Sequence, residues 1–155
     1  HLTKAAQAIL YEQKSFVSED FFLDIAERLI DQQKNVFTKV NRLSSTKLST
    51  RQDLYARAAK AKYYIEDHVT ETIRIEELTT VASLSEVQLH RVFKQVYQTT
   101  PYQYILSTKL NRAAQLIRAG QQSISEISIL LGFADLPTFS KAFKRKFGIT
   151  PTAFQ

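Results

Sequence analysis

The chain has 155 residues, 44% of them hydrophobic and 23% charged, a balance that suits one compact domain or two small ones. It contains no cysteine, which excludes disulfide frameworks, thiolate nucleophiles, cysteine-ligated zinc and iron–sulfur clusters. The net charge of +6 points to a polyanionic partner, nucleic acid or an anionic membrane surface, or to no more than a soluble basic surface. The glycines are Gly120, Gly132 and Gly148, so no Gly-rich phosphate cradle can be assembled. The prolines are Pro101, Pro137 and Pro151, and residues 1–100 contain neither Gly nor Pro. A β-rich chain needs turns every few residues, so an all-helical fold is expected. No apolar run approaches the ~18–20 residues of a membrane span. The start, His-Leu-Thr-Lys, has no initiator Met and no signal-peptide layout, and the chain is expected to be a piece of a longer protein.

In chain order, residues 2–14 read as a short helix. Ser18 is placed as the N-cap of a helix running to about Leu43, with Glu19 and Asp20 at its dipole-favoured start. Along it Phe22, Ala26, Leu29, Gln33, Val36, Val40 and Leu43 alternate spacings of four and three, close to the 3.5-residue period of a helix–helix seam. Phe22, Leu29, Val36, Val40 and Leu43 are therefore candidates for a dimer seam, or for packing against a domain outside this chain. Residues 44–50 read as a polar linker. A third helix is expected over Arg51–Val69, with Leu54, Ala58, Ala61, Tyr64 or Ile65, and His68 or Val69 on its apolar side. Beyond residue 73 the caps become regular. A helix is expected at Ile75–Ala82, then one capped by Ser85 with Gln88 completing a capping box. Thr100, Pro101 and Gln103 open a helix to Ala119, stopped by Gly120. Ser123 and Glu126 open one ending at Gly132. Asp135 caps the helix over 136–147, stopped by Gly148, and Thr150–Pro151 begin a final turn.

Residues 75–104 recur as residues 124–154. Ile75, Leu78, Ala82 and Leu84 match Ile124, Ile127, Leu131 and Phe133 at an offset of 49. After one inserted residue, Ser85, Leu89, Arg91, Phe93, Lys94, Tyr97, Thr100, Pro101 and Tyr104 match Asp135, Phe139, Lys141, Phe143, Lys144, Phe147, Thr150, Pro151 and Phe154 at an offset of 50. Each copy is a short helix, a tight polar turn and a second helix, the helix-turn-helix pattern. The second helix of each copy divides into an apolar back and a small, polar or basic front, as a helix lying in a major groove requires. The backs are Leu89, Val92, Phe93 and Val96, and Phe139, Ala142, Phe143 and Phe147. The 19-residue helix between the copies, Pro101–Ala119, is roughly 28 Å long at ~1.5 Å per residue, against the ~34 Å between successive major grooves on one face of B-DNA.

These features carry a family resemblance. Residues 70–155 resemble the AraC/XylS family of bacterial transcription regulators. The matching positions include Leu78, Ala82, Ser85, Leu89, Arg91, Phe93, Lys94, Thr100-Pro101, Tyr104-Ile105, Leu110 and Ala113. They continue through Ile124, Glu126-Ile127 and the run Gly132 to Pro151, ending at Phe154. The resemblance implies an all-α fold of two helix-turn-helix units joined by a long central helix, in a cytoplasmic bacterial regulator, usually an activator and so a partner of RNA polymerase. It also implies a separate sensing or dimerising domain. Residues 1–50 are read as the tail of that domain and a linker, which could dimerise. The double helix-turn-helix domain is placed at 51–155: leading helix 51–69, first unit 75–98, connecting helix 101–119, second unit 124–148. A small-molecule effector would act through the absent domain. Four positions depart from the pattern. Gln98 stands where Gly is typical, Lys109 where Arg is common and Ser128 where Ala is common, and Arg74 occupies an N-cap better suited to Ser, Thr or Asp.

The expected function is thus sequence-specific binding of double-stranded DNA by two helices in adjacent major grooves. Candidates for base contact are Glu86, Val87, Gln88, His90 and Arg91 in the first copy, and Leu136, Thr138, Ser140 and Lys141 in the second. Candidates for phosphate contact are Ser85, Lys94, Thr100, Lys144, Arg145 and Lys146, which would supply affinity and salt dependence without sequence information. The phenylalanines at 93, 133, 139, 143, 147 and 154 are read as core rather than base-stacking groups. The competing reading is a helical interaction module whose basic face meets an acidic protein. No enzyme is expected: His1, His68 and His90 are scattered, and no HExxH pair, nucleophile elbow or metal-spaced acid cluster occurs. No metal, cofactor or membrane contact is expected.

Overall fold

The computed structural model describes residues 19–45 and 47–155, and the helix expected at 2–14 and the Ser18 cap lie outside them. Eight helices occur among the described residues: α1 Glu19–Asn41, α2 Leu48–Asp67, α3 Ile75–Ala82, α4 Glu86–Tyr97, α5 Pro101–Ala119, α6 Ile124–Leu130, α7 Leu136–Phe147 and α8 Pro151–Phe154. None is long and apolar enough to cross a membrane. The chain divides into two units, residues 1–38 and 39–155. In the first, α1 leaves Phe22, Leu29 and Ile30 exposed, and Arg28 pairs with Asp24 one turn earlier (2.9 Å).

The second unit holds two apolar cores. One gathers Leu43, Ala58, Ala61, Ile65, Leu78, Leu89, Phe93, Val96 and Ile105, among others. The other gathers Leu110, Ala113, Ala114, Ile117, Ile127, Leu131, Phe139 and Phe143. Helix α5 is common to both. It gives Ile105 to the first core and, five residues on, begins the stripe Leu110–Ala113–Ala114–Ile117 that backs the second. The aromatic residues repeat with the sequence. Phe93 packs against Tyr97 (4.7 Å between ring centroids) and Tyr104 (5.5 Å), and Phe143 packs against Phe147 (4.5 Å) and Phe154 (5.3 Å). Such tilted and edge-to-face contacts are the favoured aromatic geometries.

Helix α2 begins three residues before the expected Arg51, because the Arg51 amide already donates to the Lys47 carbonyl. Its first three residues, Leu48, Ser49 and Thr50, are all exposed, so no apolar pattern marked them. Its end falls at Asp67, where His68 stacks on Tyr64 (4.0 Å) and its amide donates to the Tyr64 carbonyl. Ile65 takes the core position and Tyr64 is half-buried.

Candidate nucleic-acid interface

Each second helix of a repeat is started by a side chain. Ser85 Oγ accepts from the Gln88 amide (3.3 Å), and Gln88 Oε1 accepts from the Ser85 amide (3.2 Å). Asp135 Oδ1 accepts from the Thr138 amide (2.6 Å), a bond that holds the Asp135 carboxyl below its ordinary range. Each also stops at a left-handed residue. Gly148 takes φ +80° without penalty, whereas Gln98 is held at φ +58°, a conformation unfavourable to a residue with a Cβ. The Gln98 amide side chain offsets part of that cost by donating to the Gln95 carbonyl (2.9 Å). Arg74 brings no acceptor to its N-cap. There Glu77 does the capping, accepting from the Arg74 amide (3.1 Å).

The backs of α4 and α7 are sealed, Leu89, Phe93, Phe139 and Phe143 being wholly buried. Their fronts are open. On α4 Glu86, Val87, Gln88, Arg91 and Lys94 are exposed, Val87 by 79%, and His90 is half-buried. Val87, Arg91 and Lys94 follow the i, i+4, i+7 spacing of one helix face. On α7 Leu136, Thr138, Lys141, Lys144 and Arg145 are exposed and Ser140 is half-buried. None of the cations Arg91, Lys94, Lys141, Lys144 and Arg145 is paired with a carboxylate among the described residues. Unpaired cations on a sealed helix suit a polyanion.

Three candidates are placed differently. The Ser85 hydroxyl and the Thr100 hydroxyl are engaged as caps of α4 and α5. Lys146 turns away from the front of α7: its ammonium donates to the Ser107 carbonyl (2.8 Å) and the Ser107 hydroxyl on α5, and burial pushes its pKa down. Of the seam residues, Phe22 and Leu29 are exposed and Val36 is half-buried. Val40 is buried, and Leu43 belongs to the core of the first helix-turn-helix unit. Leu43 is therefore spent on its own domain rather than left for a seam.

Sequence reasoning noted Lys109 only as a departure from Arg. In the structure it is 9% exposed, its ammonium donates to the Leu131 carbonyl at the end of α6 (2.8 Å), and burial lowers its pKa. Its place one turn after Ile105 and before Ala113 is the signal that could have revealed it. The leading helix is tied in as well: Tyr104 donates to Glu66 (2.7 Å), Lys62 to the same carboxylate, and Arg57 to the Ser83 carbonyl in the turn before α4 (2.9 Å). The Arg57 bond holds α2 against the first unit and the Tyr104 bond holds it against α5, while Lys62 and Glu66 pair within α2.

The fold and its two open helices define a double helix-turn-helix protein. The family described as "Helix-turn-helix domain" matches residues 78–155. A probable transcriptional regulator, LumQ of Photobacterium leiognathi, is 40% identical over 92 residues, which are 59% of this chain and 37% of that protein. The HTH-type transcriptional regulator GbdR of Pseudomonas aeruginosa is 30% identical over 140 residues, 90% of this chain and 35% of that protein. A solved AraC-type transcriptional regulator from Chromobacterium violaceum aligns with TM-score 0.61 at 32% identity, covering 64% of this chain and 88% of its own. This chain belongs to the AraC/XylS family of helix-turn-helix proteins. It spans little more than a third of the length of these curated relatives.

Proposed function

We propose that this chain is the DNA-binding part of a transcription regulator and inserts α4 and α7 into adjacent major grooves of one duplex. The observation that carries the reading is the repeated arrangement itself: two helices on one spine, each sealed on its back and bearing unpaired cations on its front. Arg91 is the group for guanine, presenting two parallel donors to O6 and N7. Val87 suits a thymine methyl, and Gln88, although its carbonyl oxygen is held by Ser85, keeps its amide donors for a base edge. Glu86, His90, Leu136, Thr138, Ser140 and Lys141 complete the reading faces. Lys94, Lys144 and Arg145 hold phosphates. The names and family of the relatives support regulation of transcription. In this reading the protein acts as an activator in the bacterial cytoplasm, with RNA polymerase as its partner. A homodimer formed by the N-terminal helix would use Phe22 and Leu29, which are exposed. A small-molecule effector would act through a domain outside this chain.

The test is a fluorescence-anisotropy titration of duplex DNA at 50 and 200 mM salt. Three phosphate contacts predict a slope near −2.7 and so a loss of about 40-fold over that range. Affinity that does not change with salt, or no binding at 50 mM, would contradict the reading and favour an acidic protein partner.

A further inference from the structure

A cleft of ≈ 700 Å³ lies where the segment at Thr72–Ile73, helix α5, the turn after α6 and helix α7 meet. Neither the helix-turn-helix repeat nor the reading fronts require it. Its volume is within the range of small-molecule sites. Ile73, Leu106 and Phe133 give it apolar walls, three cations line it (Lys109, Lys141 and Arg145), and no carboxylate does. Lys109 is the deepest of the three. An ammonium has three N–H donors. The structure assigns one of those of Lys109, to the Leu131 carbonyl, and no acid pairs with it among the described residues. A charge withdrawn from water without a counter-charge is unfavourable, and an anion beside it relieves the cost. Gly132 keeps the space beside this ammonium open: a Cβ there would stand 3.2 Å from Lys109 Nζ and 3.8 Å from Thr72 Oγ1.

We propose that the cleft binds a small amphipathic carboxylate. The carboxylate meets Lys109 beside Thr72, and the apolar body lies along Ile73, Leu106 and Phe133. Lys141 and Arg145 add long-range attraction. The apolar walls argue against a bare inorganic anion, and the buried ammonium argues against a neutral ligand. Because Lys141 and Arg145 also belong to the proposed DNA front, an occupied cleft draws their charge away from the duplex and weakens DNA binding. By linkage, DNA weakens the carboxylate equally. This second step rests on the DNA reading above; the site itself does not.

The experiment is an amide chemical-shift titration of the whole chain with octanoate, without DNA, alongside inorganic phosphate and octanamide. The expected result is saturable shifts at Thr72–Ile73, Lys109 and residues 131–134, with octanoate binding at least tenfold tighter than either control. Lys109→Met should weaken octanoate at least tenfold. Since loss of Lys109 could disturb the fold, Thr72→Trp, at an exposed position, fills the mouth while leaving Lys109 in place and should do the same. Shifts scattered over the basic surface, equal binding of phosphate, or undiminished binding by a folded Thr72→Trp variant would overturn the proposal. A duplex titration with saturating octanoate then reads the coupling. Several-fold weaker DNA binding is expected, and unchanged DNA binding despite cleft-confined shifts would overturn the coupling and fault the DNA placement of Lys141 and Arg145 rather than the site.

Discussion

Replacing Phe143 by Ala separates the two cores most cleanly. Phe143 is wholly buried and touches the rings of Phe139, Phe147 and Phe154 at 5.7, 4.5 and 5.3 Å between centroids. Removing about 150 Å² of buried aromatic surface at ~25 cal/mol per Å² costs roughly 4 kcal/mol, in line with the ~3–5 kcal/mol found for such truncations. A domain of this size has about 5–15 kcal/mol in all, so the variant should fold and be marginal. The damage should also be local. Leu110–Ile117 of α5 back the second core, whereas Ile105 serves the first. Amide hydrogen exchange should therefore quicken throughout α6, α7 and α8 while α2, α3 and α4 keep more of their protection. Urea unfolding followed by far-UV circular dichroism gives the total, and exchange gives its distribution. A loss under about 1 kcal/mol would refute the placement of Phe143 at the heart of the second core. A uniform rise in exchange across both units would refute the description of two cores on one spine.

Three further outcomes follow from the same geometry. Arg91→Ala should cost about 1–3 kcal/mol on the preferred duplex and relax specificity at one base pair, measured by competition among single-base variants; equal losses on every sequence would make Arg91 a phosphate contact. Lys144→Ala should flatten the salt slope by about one unit, whereas Lys146→Ala, whose ammonium is bound to Ser107, should leave the slope unchanged; the two slopes from salt titrations decide it. Asp135 has its pKa lowered by the bond from the Thr138 amide, so its contribution is complete above the ordinary Asp range and disappears as pH falls through the lowered value. Asp135→Asn should accordingly be less stable than the parent near pH 7, and the gap should close in acid; a gap independent of pH in urea unfolding would contradict this.

The parts of the fold written in local chemistry were legible without coordinates. Ser85–Gln88, Thr100–Gln103 and Ser123–Glu126 each form the expected reciprocal cap, because a cap requires particular residues at a fixed spacing. The repeat revealed the backs of both reading helices, since Phe93, Tyr97 and Tyr104 in the first copy have aromatic counterparts in Phe143, Phe147 and Phe154, packed in the same pairs. What pattern could not supply was direction. Lys146 belongs to a basic run, yet it lies three residues after the buried Phe143 and reaches across to α5 instead of outward. Val40 and Leu43 fit a seam period of 3.5, but a helix packing on its own domain uses the same spacing, and Leu43 does so. Lys109 is a charge on an apolar stripe, where residue type argues for the surface and helical phase argues for the interior. Phase prevails because the end of α6 offers a carbonyl to its ammonium. The early start of α2 was invisible for a different reason: exposed starting residues leave no hydrophobic trace.

The central claim, two reading helices set one turn apart on one duplex, is tested most directly by selection from a random-sequence duplex pool at fixed salt. Two enriched blocks about 10 bp apart are predicted, with Arg91→Ala degrading the block read by α4 and Lys141→Ala the block read by α7. A single block insensitive to one of the two substitutions, or no enrichment over the starting pool, would contradict it.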